Sequence, residues 1–166
     1  MVAIAVAAVL AGCAGGHSKP IPAGYAGPRA HIADSMAERG GAAADIFYLS
    51  AIDGRKIDDS IGATAKATAG HGVGLVPHII GRDVPARFST FTVAGSTQRS
   101  APILALLHRN EDVSGEVQAT PAPGHSYIVT GVLGPGYSAV WIQDRVTGAI
   151  LGRKIEVGTP GSPPQK

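Results

Sequence analysis

The sequence predicts a mainly β domain, a single antiparallel β-sandwich with one long irregular loop. Turn-forming residues are abundant, with 23 glycines and 12 prolines among 166 residues, as is typical of a β-domain with many loops. Charged residues make up only 16% of the chain, which leaves few side chains for the salt-bridged surface of helices. Short runs of strand-forming residues also alternate with turn clusters. The length fits one domain.

The first strand is predicted at residues 45–52, because this segment is rich in β-branched and aromatic residues. Asp53-Gly54 tolerates the positive φ angles of a tight hairpin turn, and residues 55–57 can form the return strand. Further strands are predicted at residues 88–93, 101–108, 113–119, 125–132, 137–143 and 149–157. Turn formers between every pair favour an antiparallel meander in a sandwich of immunoglobulin-like or transthyretin-like layering.

The last hairpins predict a register and therefore two faces. A turn at residues 133–136 would place Val132 opposite Tyr137, and a turn capped by Asp144 would place Trp141 opposite Leu151. Both faces of this sheet would be apolar, so it is either central or offers one face to a partner. Tyr137 and Trp141 share a face, where burial in the core is favoured over a platform that stacks sugar or peptide.

Residues 58–87 contain five glycines and no sustained hydrophobic period, which predicts a long irregular excursion with one short helical turn. The glycine-rich segment 70–74 lacks the strand, spacing and lysine of a phosphate-binding loop. His71 and His78 are seven residues apart, without an accompanying cysteine or HExxH motif, so solvated histidines are favoured over metal ligands. The sequence predicts no metal and no cofactor.

The N-terminus begins with ten apolar residues, Met1 to Leu10, and Ala11-Gly12-Cys13 follow them. This run is shorter than the ~20 residues of a membrane-spanning helix, and small residues before a cysteine suit a cleavage site. The segment resembles the lipobox of a bacterial lipoprotein, which implies cleavage before Cys13, a diacylglyceryl group on its sulfur and, because Ala14 follows, export to the outer membrane. The alternative is an ordinary apolar N-terminal strand or helix with a buried cysteine.

The expected organisation is therefore a signal peptide at residues 1–12, a lipidated cysteine and flexible tether at 13–24, the β-sandwich at 25–157, and a disordered tail at 158–166. The net charge is +2 without a basic cluster, so nucleic acid is not an expected partner.

Five segments together resemble a family of small uncharacterised proteobacterial lipoproteins with a predicted β-sandwich domain. They are Tyr25-Ala26-Gly27-Pro28, Ile52-Asp53-Gly54, Pro123-Gly124-His125-Ser126-Tyr127, Tyr137-Ser138-Ala139-Val140-Trp141-Ile142-Gln143-Asp144 and Thr147-Gly148. The resemblance covers most of the chain after the leader. It implies a location and a fold, and no activity.

The leading functional expectation is a non-catalytic structural or binding module, held at the outer membrane by its N-terminal lipid and facing the periplasm or the cell surface. Tyr137, Trp141, His71 and His78 are the candidate surface for an envelope protein or glycan. The alternative is an envelope hydrolase or metal-dependent enzyme, which requires His71 or His78 to converge with an acid in one pocket. A third possibility is assembly by strand addition at an exposed sheet edge.

Overall fold

The computed structural model describes residues 17–40, 43–70, 74–99 and 112–160. Within them the chain forms two sheets and one helix, and the predicted β-sandwich is confirmed. The elements are β1 Arg29–Ala33, β2 Ser35–Glu38, β3 Ala43–Ile52, β4 Arg55–Lys56, α1 Ser60–Thr68, β5 Gly81–Pro85, β6 Ser89–Arg99, β7 Asp112–Ala119, β8 Ser126–Val132, β9 Tyr137–Asp144 and β10 Ile150–Gly158.

The first sheet has the strand order β10-β9-β8-β1-β5, and the second has the order β2-β3-β6-β7 with β4 paired to β3. The predicted meander is present as β8-β9-β10, and the Asp53-Gly54 turn joins β3 to β4 with positive φ at both residues. The prediction missed β1 and β2. These short strands are one continuous segment that changes sheets at Asp34, and β1 pairs with β8 in parallel.

Residues 58–87 are more regular than predicted. In place of one short helical turn they contain the nine-residue helix α1, and strand β5 follows. Asp59 caps the helix by accepting a hydrogen bond from Gly62 N at 2.8 Å. The buried residues of the helix are Ser60 and Thr64, and a polar buried face has no hydrophobic period to detect. In β5 the buried positions include Arg82. A charged residue on the buried side breaks the apolar–polar alternation by which a strand is recognised in a sequence.

The core lies between the two sheets. Its large, fully buried members include Ile32, Leu49, Ile52, Val84, Phe91, Val93, Val117, Val129, Val140 and Ile142. Phe47 fills the space between Gly95 of the second sheet and Gly131 of the first: a Cβ atom on Gly95 would lie 2.8 Å from its ring, and one on Gly131 would lie 2.5 Å away. These glycines let the sheets approach around one aromatic ring.

The predicted registers of the last hairpins were wrong, with different consequences. Val132 pairs with Ala139 rather than Tyr137, and this shift of two residues keeps every side chain on its predicted face. Leu151 pairs with Ile142 rather than Trp141, and a bulge follows before Ile155 pairs with Val140. Because a shift of one residue exchanges the faces of a strand, Leu151 and Ile155 pack against the core while Trp141 stays outside.

Part of the segment expected to be a tether contacts the domain. The Ser18 N–H donates to Lys56 O at 2.8 Å, and Ser18 forms a parallel bridge with Ile57. His17 Nδ1 lies 2.7 Å from Asp58 Oδ1. Cys13, His71, the strand predicted at 101–108 and the tail from residue 161 lie outside the described residues. Of the helices in the described ranges, none has the length and apolar character needed to span a bilayer.

Candidate functional site

Trp141 lies on the outward side of the first sheet. The inner side of β9 is formed by Val140 and Ile142, which are fully buried, whereas Trp141 is only partly buried. The core placement favoured for Tyr137 and Trp141 was therefore wrong: neither belongs to the buried core cluster. The physical reason is the register of β10, since Leu151 and Ile155 pack on the same side as Val140 and Ile142.

Lys154 covers the Trp141 ring. Residues 152–154 of β10 stand opposite the single residue Trp141, and Gly152 at this bulge has φ +77°. The Lys154 Nζ atom lies 4.4 Å from the ring centroid, a cation–π contact of about 0.5–1 kcal/mol at an exposed site. The bulge thus places a positive charge on an aromatic ring that faces solvent.

Gln143 fixes the plane of the indole. Trp141 Nε1 donates to Gln143 Oε1 at 3.2 Å, and Gln143 Nε2 donates to the carbonyl oxygen of Gly148 at 3.1 Å. The ring is therefore coupled through one amide to the turn between β9 and β10. A ring held in place loses little conformational freedom when a ligand stacks on it.

Tyr137 lies on the same outward side of β9. Its hydroxyl donates to Glu156 Oε1 at 2.5 Å, and this hydrogen bond raises the pKa of the phenol. Nearby on this side, Val132 and Ile150 are 42% and 41% exposed. We refer to the outward side of β8–β10, with Thr130, Val132, Tyr137, Trp141, Gln143, Ile150, Lys154 and Glu156, as the Trp141 face. The described helix, α1, packs elsewhere, against β3 of the second sheet.

A second feature of the first sheet is the pair His125–Asp144. Asp144 Oδ1 accepts hydrogen bonds from Val146 N and Thr147 N, both at 2.9 Å, which confirms its predicted role as the turn cap. His125 Nδ1 lies 2.7 Å from Asp144 Oδ2. The hydrogen bond from His125, followed by those from the backbone, holds the pKa of Asp144 well below its usual range. The pair therefore locks the β9–β10 turn against the start of β8.

The predicted loop histidines do not form a site in the described chain. His78 is exposed, and its backbone N–H donates to Thr64 Oγ1 at 2.9 Å. Across the four described ranges, no three His, Cys, Asp or Glu residues are grouped to hold a metal ion. Among the described residues, the His78 side chain forms no hydrogen bond or ion pair with an acid, and His71 lies outside these ranges.

Sequence reasoning missed a buried polar network centred on Asp34. Its carboxylate accepts bonds from Arg82 Nη1 and Nη2 at 2.8 and 2.7 Å, from Ser60 Oγ at 2.6 Å and N at 3.2 Å, and from Leu49 N at 3.0 Å. The side chains of Asp34 and Arg82 are 0% and 5% exposed. Every oxygen of the carboxylate is partnered, so the network joins β1, β3, α1 and β5 and serves the fold.

No family model, curated protein or solved structure matches the chain. The resemblance to proteobacterial lipoproteins therefore stays a prediction.

Proposed function

We propose that this protein is a non-catalytic binding module of the bacterial envelope, anchored to the outer membrane through lipid on Cys13, and that its Trp141 face binds a glycan. The observation that carries the proposal is the position of Trp141. The single tryptophan of the chain lies outside the core, with its N–H oriented by Gln143 and its ring covered by Lys154.

This arrangement suits a sugar ring. Large aromatic side chains usually contribute to the core, so a tryptophan held outside it with a fixed plane is a surface that a ligand can use. The ring offers an apolar face for stacking. Gln143 and Thr130 provide an amide and a hydroxyl group beside it, and Glu156 provides a carboxylate at Tyr137 on the same side of the sheet. Lys154 would either move aside at modest cost or pair with an acidic group of the glycan.

The experiment follows the emission of Trp141 during titration with soluble peptidoglycan strands and lipopolysaccharide-derived oligosaccharides. Since Trp141 is the only tryptophan, any change in emission reports on this face. Calorimetry then compares the wild type with Trp141→Ala. We expect at least a tenfold loss of affinity, about 1.4 kcal/mol, which is typical of an interface hot spot.

Val76→Ala is the matched control, because Val76 is 38% exposed in the connection between α1 and β5, away from the Trp141 face. It should bind as the wild type does. Equal binding by Trp141→Ala, or binding of a protein and of no glycan at this face, would overturn the glycan proposal.

The proposed location at the outer membrane requires its own test. Intact mass and membrane fractionation are measured in the native host for the wild type and for Cys13→Ser. A diacylglyceryl adduct on a chain that begins at Cys13, lost in the variant, supports the anchor. A soluble chain that retains Met1 would overturn it and leave the Trp141 face to be tested separately.

A further inference from the structure

One end of the sandwich gathers several surface loops. Strands β3, β5, β7 and β9 end there, and β4, β6, β8 and β10 begin there. We call this the Phe88 end, formed by residues 53–55, 86–88, 120–125 and 145–149. Two of the loops are joined directly, because Arg87 Nη2 lies 2.9 Å from Asp53 Oδ2 and the Asp53 N–H donates to Thr90 O at 2.8 Å.

The Phe88 end carries the two most exposed large apolar side chains of the described chain. Val146 is 88% exposed and Phe88 is 63% exposed. Their loops are ordered by hydrogen bonds: Val146 N donates to Asp144 Oδ1, and Phe88 O accepts from Arg87 Nη1 at 3.4 Å. Apolar side chains held outward by fixed turns mark a surface for contact with a partner or a membrane.

The Phe88 end also carries exposed positive charge. Its loops and strand β4 contribute Lys56, Arg87 and Arg145 as exposed bases, whereas Arg55 has a buried Nη2 atom and donates from Nη1 to Lys19 O. Arg87 is the partner of Asp53, so Lys56 and Arg145 remain in excess. Basic residues beside an exposed aromatic ring are the combination that an anionic bilayer surface attracts.

The N-terminal segment brings the same end close to any anchor on Cys13. Ser18 is bridged to Ile57 in parallel, so His17 lies on the side of this bridge that faces strand β4 and the Asp53-Gly54 turn. Cys13 is only four positions before His17, and an extended chain of that length spans at most about 14 Å. A lipid on Cys13 would therefore hold His17, which lies beside strand β4 next to the Phe88 end, within about that distance of the bilayer.

We propose that the Phe88 end is a membrane-docking surface for an anionic lipid bilayer. Phe88 and Val146 enter the interface, and Arg145 and Lys56 face the lipid phosphates. This inference rests on the proposed anchor for its strongest geometric support, although the exposed loops are observed independently of it. The strands then run away from the bilayer, which leaves the Trp141 face free at the side of the domain.

The test uses lipidated full-length protein reconstituted into vesicles of phosphatidylglycerol and phosphatidylcholine. Phe88→Cys and Val146→Cys are each labelled with an environment-sensitive fluorophore, since the sulfur of a lipidated Cys13 is blocked. Val157→Cys is the matched control, because Val157 is 55% exposed and pairs with Ser138 at the opposite end of β9. Nitroxide lipids report on insertion, and iodide reports on exposure to water.

We expect nitroxide lipids to quench the labels at residues 88 and 146 several-fold more than the label at 157. Vesicles of phosphatidylcholine alone, or the added change Arg145→Gln, should reduce that difference. Equal quenching of all three labels by iodide, on protein shown by mass to be lipidated, would overturn the docking surface.

The same labels in a Cys13→Ser background separate this inference from the anchor. If the labels at 88 and 146 enter anionic vesicles although the Cys13→Ser variant carries no lipid, the docking surface is supported even if the wild-type protein proves to be unlipidated. If the lipidated protein also fails to insert them, the docking surface is overturned while the anchor stands on its mass.

Discussion

Removal of the positive charge from the Asp34 network is the perturbation with the largest expected effect on stability. Arg82→Met keeps much of the side-chain volume and deletes both guanidinium bonds to Asp34. The carboxylate, with a side chain 0% exposed, would keep only the donors from Leu49 and Ser60. Breaking a buried pair from one side costs about 3–5 kcal/mol, a large part of the ~5–15 kcal/mol that stabilises a typical domain.

A second arginine–aspartate pair, exposed to solvent, is the control. Arg87 and Asp53 form a pair whose side chains are 49% and 31% exposed, and an exposed pair contributes at most about 1 kcal/mol. Arg87→Met should therefore change the free energy of unfolding little. The double variant Asp34→Leu/Arg82→Met should lose less than the sum of its single changes, because neither charge is left alone.

Urea unfolding followed by circular dichroism measures the wild type, Arg82→Met, Asp34→Leu, their double variant and Arg87→Met. A loss of about 1 kcal/mol or less for Arg82→Met, equal to that for Arg87→Met, would refute the reasoning. It would mean that Asp34 regains water when its partner is removed, in conflict with the burial of the site.

Three further changes test the turns and the core. Gly131→Ala would bring a Cβ atom within 2.2 Å of a backbone oxygen of β9, so we expect urea unfolding to show a free energy of unfolding lower by about 1–3 kcal/mol. Gly134→Ala is the control, because the nearest atom to its Cβ is 3.4 Å away, and it should change the free energy of unfolding little. The hydrogen bond from His125 lowers the pKa of Asp144. The stability that this carboxylate contributes is therefore complete above about pH 4 and is lost as pH falls further. Melting temperatures of the wild type and Asp144→Asn should converge in acid, and parallel curves of melting temperature against pH would contradict this. Burial, and then nearby carboxylates, raise the pKa of Tyr48 to about 12. Above about pH 10 the tyrosine ionises in the unfolded chain before it ionises in the folded protein, so wild-type stability should fall as pH rises. The urea midpoints of Tyr48→Phe should fall less steeply over the same pH range.

The sequence alone determined features that are encoded locally. Residues 45–52 and the four final predicted segments form strands because β-branched and aromatic residues lie between turn formers. The Asp53-Gly54 turn and the Asp144 cap follow from side chains that satisfy their own backbone or tolerate positive φ. These features need no knowledge of distant residues, and the choice of a β-sandwich follows from their number and spacing.

The tertiary structure decided what depends on distant partners. Strand β1 exists by pairing with β8 and β5, and Arg82 can be buried only because Asp34 meets it. The candidate site belongs to the same class. Both sides of β9 carry apolar or aromatic residues, so alternation could not choose the inner one. The register of the β9–β10 hairpin chose it by placing Leu151 and Ile155 on the side of Ile142 and Val140, and this left Trp141 beneath Lys154 in contact with solvent.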